Sequence, residues 1–310
     1  MLLSVLIHPW STKAILNPLQ LVGTVFEALL GLAFGSFLNV FLVRFPAGES
    51  VVAPRSHCRH CDHVLAWWEN IPLLSWIVLR GRCRQCRAWI GIRYPLIELA
   101  IGFLWAACWF RFGPISVDAV AGPQQILAHT ATLFRLVHVI GANLLCWLLL
   151  ALAILDAEYF WLPDWLTLPG IAIGFAYAAL LGWIYQLGPA LLLHTLWYRL
   201  LGILGAGGVV LAIRLAYWLI RRQEGMGLGD AKLMAMLAAW VGLRGSLECF
   251  TISIFAAAAA AMLWLAVLAI RRKTEGWAKM PLPLGTFLCA AALVEVFHPQ
   301  WLWRWWQRGL

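Results

Sequence analysis

Charge is what this chain has least of. Of its 310 residues only 12% are Asp, Glu, Lys or Arg, while 63% are hydrophobic. An average soluble domain carries roughly 25% charged residues, so this chain has too little charge to solvate a folded surface of its size. That excludes an ordinary soluble enzyme, and so high an apolar fraction also excludes a disordered chain. Acid is the scarcer sign: 14 Asp and Glu stand against 23 Lys and Arg, for a net charge of +9. The basic residues are not gathered into a nucleic-acid-binding face, and no nucleic-acid partner is expected. Eight cysteines are too few and too unevenly placed for a small disulfide scaffold, with four in one polar segment and four single in apolar runs. A basic start is missing as well, since the first basic side chain after the N-terminus, apart from His8, is Lys13. No cleaved secretory leader is therefore expected.

What the chain does have is long apolar runs. About 20 mostly apolar residues cross roughly 30 Å of hydrocarbon, and such runs occur near 19–43, 95–112, 134–155, 166–186, 200–220, 231–247, 249–270 and 281–298. The expected fold class is an all-α polytopic membrane protein of about eight transmembrane helices in a lipid bilayer, with one large polar loop. Three segments follow: 1–43 with the first span, a loop module at 44–94, and the remaining spans at 95–310. Lys and Arg set the orientation. Eight arginines lie in 44–94, and Arg221, Arg222, Lys232, Arg271, Arg272, Lys273 and Lys279 fall on the same side. The opposite side collects Lys13, Arg111, Arg135, Arg244, Arg304 and Arg308. This asymmetry places 44–94 in the cytoplasm and both termini outside. Twenty Trp, four of them at 301, 303, 305 and 306, fit anchoring at the membrane interface.

Loop 44–94 contains Cys58-Arg59-His60-Cys61 and, after 21 residues, Cys83-Arg84-Gln85-Cys86. Two C-x-x-C turns at this separation read as a tetrahedral Zn2+ site, each turn supplying two thiolates. Disulfides are disfavoured in a reducing cytoplasm. Four Cys close the coordination sphere, so the metal folds the loop and does no chemistry, and His57, His60 and His63 stay outside it. Arg59, Arg82, Arg84 and Arg87 would offset the negative charge of the thiolates. Between the turns, residues 71–79 are apolar but too short to span, which suits the membrane surface or packing on the bundle. Cys108, Cys146, Cys249 and Cys289 read as small buried hydrophobes.

Two acids stand out. An unbroken apolar stretch, 144–155, ends at Asp156, and a carboxylate at the C-terminal end of a helix opposes the helix dipole. Gly225-Met226-Gly227-Leu228-Gly229-Asp230 precedes the sixth run; its glycine spacing is not that of a dinucleotide loop. Asp164 and Asp230 each suit an N-cap. The topology nevertheless brings Asp156 and Asp230 to one side of the membrane. Two carboxylates at close range share a proton, and one then activates water while the other polarises a carbonyl.

These segments resemble the type IV prepilin leader peptidases, bifunctional aspartic peptidases of the Gly-x-Gly-Asp type. The resemblance rests on GSFLNVFLVRFP (35–46), the two Cys turns, ENIPLLSW (69–76), LRGRCRQC (79–86), RYPLIE (93–98), LDAEYFWLPDWLT (155–167) and EGMGLGDAKL (224–233). PLPLGT (281–286) matches the family's P-x-G-P stretch only loosely. The resemblance implies that Asp156 and Asp230 are the catalytic pair. It also implies cleavage of the short basic leader of prepilins and of type II secretion pseudopilins after Gly, on the cytoplasmic face of the bacterial inner membrane. Methylation of the new N-terminus from S-adenosylmethionine would follow, at a site that residue chemistry does not locate. A peptidase without methyl transfer is the nearer alternative. A carboxylate-lined transporter is the more distant one, against which stand the lack of an internal repeat and the Cys module. Glu98 suits helix capping or a pair with Arg93, Glu27 and Glu295 are ambiguous, and Gly31 and Gly35 suit close helix packing.

Overall fold

The computed structural model describes residues 18–114, 124–223, 227–270 and 282–308. Three features of the sequence lie outside them: the first 17 residues, where no cleaved leader was expected, the start of the Gly-x-Gly-x-Gly-Asp segment, and the basic run at 271–279. The described residues form α1 (Pro18–Arg44), a short α2 (Leu74–Val78), α3 (Arg93–Phe112), α4 (Gln124–Tyr159), α5 (Asp164–Ile184), α6 (Pro189–Arg221), α7 (Leu228–Ile270), α8 (Leu284–Phe297) and α9 (Trp301–Arg308). The only extended pairings among them are isolated bridges in the Cys module.

Six helices are long and apolar enough to cross a membrane, α1 and α3–α7, where eight were expected. The difference has two sources. The runs at 231–247 and 249–270 both fall in α7, which is two helical arms meeting at Gly242 (φ 82°, ψ 171°), so the length of α7 counts them together. That positive φ is open to glycine and strained for other residues. The run at 281–298 yields only the 14-residue α8, about 21 Å long at 1.5 Å per residue. Arg199 of α6 reaches the break and donates to the carbonyls of Ala238 (3.5 Å) and Trp240 (3.3 Å), so a cation closes the C-terminal end of the first arm of α7.

Lipid is as apolar as leucine, so close packing rather than loss of water holds such helices together. Helix α4 presents Leu145, Leu149, Leu152 and Leu155, three or four residues apart and at most 4% exposed, to the bundle interior. Gly31 and Gly35 serve packing as expected: a Cβ on either would meet the α3 backbone at 2.8 Å (Ile101 O) or 2.7 Å (Glu98 Cα). The α5–α7 contact is closed by Trp240, whose Nε1 donates to the Gly170 carbonyl at 2.9 Å. The four cysteines of the apolar runs are all 0% exposed.

Candidate functional site

The Cys module lies between α1 and α3 and is built from two turns of the same form. In each, the first Cys donates its N–H to the carbonyl five residues on (Cys58 to His63, Cys83 to Ala88), and its carbonyl accepts from the residue four on (Asp62, Arg87). Asp62 and Arg87 both take a positive φ, and each turn is closed by one bridge, His57–Val64 or Arg82–Trp89. The four Sγ atoms lie within 4.8 Å of one another, with Cys58–Cys86 at 3.8 Å and Cys61–Cys83 at 3.9 Å. A tetrahedron with Zn–S bonds of about 2.3 Å has edges of about 3.8 Å, so the cluster fits a metal of that kind. Without a metal the close thiols divide their charge unevenly: the N–H of Cys86 holds the Cys83 thiol down to about 6, while Cys61, despite a bond to the His63 backbone, is pushed up to about 12 by burial and the neighbouring thiols. The histidines are engaged elsewhere or exposed: His63 Nε2 is 3.4 Å from the buried Glu69, His57 Nδ1 is 3.1 Å from the Arg55 carbonyl, and His60 faces solvent. Arg84 lies over the Trp68 ring at 5.5 Å.

At the end of the bundle beside this module, three helix ends converge. Asp156 lies in the last turn of α4 and is 6% exposed. Its Oδ2 accepts from the backbone N–H of Thr286 at 2.7 Å and from the Thr286 hydroxyl at 3.1 Å, and the same hydroxyl is 3.0 Å from the Ala153 carbonyl. Gly285 and Thr286 belong to the first turn of α8, so Asp156, set against the dipole of its own helix, faces the positive end of another. Asp230 is the third residue of α7 rather than its N-cap, and its carboxylate accepts the backbone N–H of Gly227. Asp156 and Asp230 flank Leu162, on which both Gly229, beside Asp230, and Gly285, against Asp156, are packed. Glycines permit this approach. A Cβ on Gly229 would meet Leu162 Cβ at 2.9 Å, and one on Gly285 would meet Asp156 Cγ at 2.9 Å.

The neighbouring charges are paired off. Asp164 is the first helical residue of α5, with Pro163 as N-cap, and it binds Lys232 Nζ at 2.5 Å. Arg93 pairs with Glu158 at 3.0 Å, not with Glu98. Glu98 instead accepts the Leu73 N–H at 2.8 Å. Glu27 is buried against Asn143 Nδ2 at 2.8 Å, and Glu295 accepts the Gln300 N–H on both oxygens, at 2.9 and 3.0 Å. Thr286 was not singled out from the sequence. The loosely matching PLPLGT stretch was the one sign that α8 begins at the aspartates.

Known proteins share this plan. Residues 29–112 match the Bacterial Peptidase A24 N-terminal domain, and residues 143–262 match the Type IV leader peptidase family. A prepilin leader peptidase/N-methyltransferase of Burkholderia pseudomallei (strain 1026b) is 36% identical over 300 residues, covering 88% of this chain and 84% of that protein. One from Stutzerimonas stutzeri is 33% identical over 308 residues, covering 90% and 91%. One from Myxococcus xanthus is 38% identical over 226 residues, which is 72% of this chain but only 57% of that longer relative. No solved structure matches the chain at a significant level.

Proposed function

The chain belongs to the prepilin leader peptidase/N-methyltransferase family, and we propose from that premise that Asp156 and Asp230 are its catalytic pair. The observation that supports this reading is a shared neighbour: Gly229, beside Asp230, and Gly285, against Asp156, both pack on Leu162, although the two acids are 74 positions apart in sequence. Two carboxylates so placed share one proton. The deprotonated member takes a proton from water as the water oxygen adds to the scissile carbonyl carbon. The protonated member gives its proton to the carbonyl oxygen. Collapse of the tetrahedral adduct breaks the C–N bond, and the departing amine takes a proton from the dyad. Thr286 holds Oδ2 of Asp156 and so fixes how that carboxylate is turned.

The substrate is a prepilin or pseudopilin, cut after the Gly that ends its basic leader. The freed N-terminal amine is then the methyl acceptor, with S-adenosylmethionine as the methyl-donor co-substrate. The excess of Lys and Arg around 44–94 supports a cytoplasmic position for the dyad, in the bacterial inner membrane. Cys58, Cys61, Cys83 and Cys86 hold Zn2+, which stabilises the 44–94 module without touching substrate.

The test is Asp156→Asn and Asp230→Asn, each assayed on a purified prepilin in detergent. Cleavage is expected to fall by about 10³-fold or more in each, and wild-type cleavage by either variant refutes the pair. Labelled S-adenosylmethionine in the wild-type reaction should mark the mature product. Cys58→Ser should lower the zinc bound per chain, read by elemental analysis, and an unchanged zinc content refutes the metal assignment.

A further inference from the structure

Helix α2 is open on one side. Leu74, Ile77 and Val78 are 54%, 63% and 62% exposed, and their spacing puts them on one face. The other side is packed within the module: Trp76 Nε1 donates to the Ile90 carbonyl at 3.1 Å, and Trp76 meets Trp89 edge to face. The depth of α2 is also set. The N–H of Leu73, its N-cap residue, binds Glu98, five residues into α3. At 1.5 Å per residue that is about 7–8 Å along the axis. Helix α3 has 20 residues, about 30 Å, and so has no length to spare beyond the hydrocarbon. The start of α2 is therefore about 7–8 Å inside the edge of the apolar slab, where an open apolar face meets acyl chains.

Charge points the same way. Arg80, Arg82, Arg84 and Arg87 follow α2 directly and are all exposed, whereas Glu69, the nearest acid in sequence, is buried. We propose that α2 lies in the interface of the bilayer the chain spans, with Leu74, Ile77 and Val78 among the acyl chains and the arginines on anionic headgroups. The metal-stapled module is thereby held down on the membrane beside the aspartates. A basic leader would be repelled by the same arginines, which favours lipid over substrate as the occupant. This reading does not depend on the catalytic role of Asp156 and Asp230.

The experiment uses the full chain in lipid nanodiscs, with a fluorescent amino acid incorporated at Ile77 and zinc content checked against the parent protein. Lipids brominated near the headgroup end of the acyl chain should quench about half the emission, as expected for a depth of about 5–10 Å. Unaltered emission overturns the proposal. Added prepilin should leave the quenching in place, and emission restored by prepilin assigns the face to the substrate instead. Quenching should deepen when about a third of the lipid is phosphatidylglycerol, and Arg80→Gln with Arg84→Gln should abolish that increment. An increment that survives both substitutions removes the arginines from the proposal.

Discussion

At one end of α8 Asp156 and Asp230 flank Leu162; at the other, Glu295 and Glu248 both accept N–H groups at the start of α9. Both pairs sit near helix N-termini, where negative charge is favoured, yet they are used differently. The glutamates are spent on α9: Glu295 takes the Gln300 N–H on both oxygens, Glu248 takes the Trp303 N–H at 3.3 Å, and Arg304 adds a nearby positive charge. The aspartates, like the glutamates, come from two different helices. Donors from α8 collect on Asp156, while Asp230 has the single N–H of Gly227. Proximity of two acids is thus not itself a sign of catalysis. What separates the pairs is what their bonds hold: the glutamates fasten the start of α9, whereas the aspartates bond the first turns of α8 and α7 where α4 ends.

The sharpest way to break this comparison is to neutralise each acid in turn. Asparagine at 156 or 230 is expected to abolish cleavage, as argued above, while Glu295→Gln and Glu248→Gln should keep it within about two-fold, the ordinary range for substitutions away from the reacting groups. Loss of cleavage in a folded glutamine variant would mean that the far pair takes part in the reaction.

A smaller effect tests the anchoring of Asp156. Thr286→Val keeps the backbone N–H and the volume but removes the hydroxyl that reaches Oδ2 at 3.1 Å. A hydrogen bond to a charged group contributes about 1.5–3 kcal/mol, so kcat should fall about 10-fold with KM little changed. Thr286→Ser should restore it. A fall in thermal stability without a fall in kcat would make Thr286 a structural residue and remove it from the site.

Much of this was legible in the sequence because it follows from one-dimensional rules. Apolar runs marked the helices, spacing marked the Cys cluster, and a carboxylate closing an apolar helix marked Asp156. Other parts depended on three-dimensional register. Arg93 and Glu98 are neighbours in one motif, but five residues turn a helix by about 140°, so they point apart and find Glu158 and Leu73 instead. Asp164 and Asp230 suit caps by residue type, yet Pro163 is the N-cap of α5 and α7 starts at Leu228, which leaves them at the first and third helical positions. Thr286 could not be found by composition, because its role depends on α8 starting level with the end of α4. The count of spans depends on the backbone too: eight were expected, and six helices are long and apolar enough among the described residues. Hydropathy does not register a backbone break such as Gly242, nor that α8 stops at 14 residues.

The smallest effect concerns the far pair alone. Glu295 is 4% exposed, and its Oε1 sits 2.8 Å from where a Cβ on Gly245 would stand, so the fold cannot relax around a change there. Glu295→Gln puts an amide where one carboxyl oxygen accepted an N–H. The expected cost is about 1–3 kcal/mol. Glu248 is only half-buried, holds one longer bond, and has an Oε2 without a partner among the described residues. Amidation there gives up little, and Glu248→Gln should cost about 1 kcal/mol or less. Thermal unfolding in detergent should therefore rank Glu295→Gln below Glu248→Gln, and Glu248→Gln just below the parent. The reverse order would show that α9 hangs on Glu248, and would leave Glu295 as a buried acid whose bonds to Gln300 do not account for its burial.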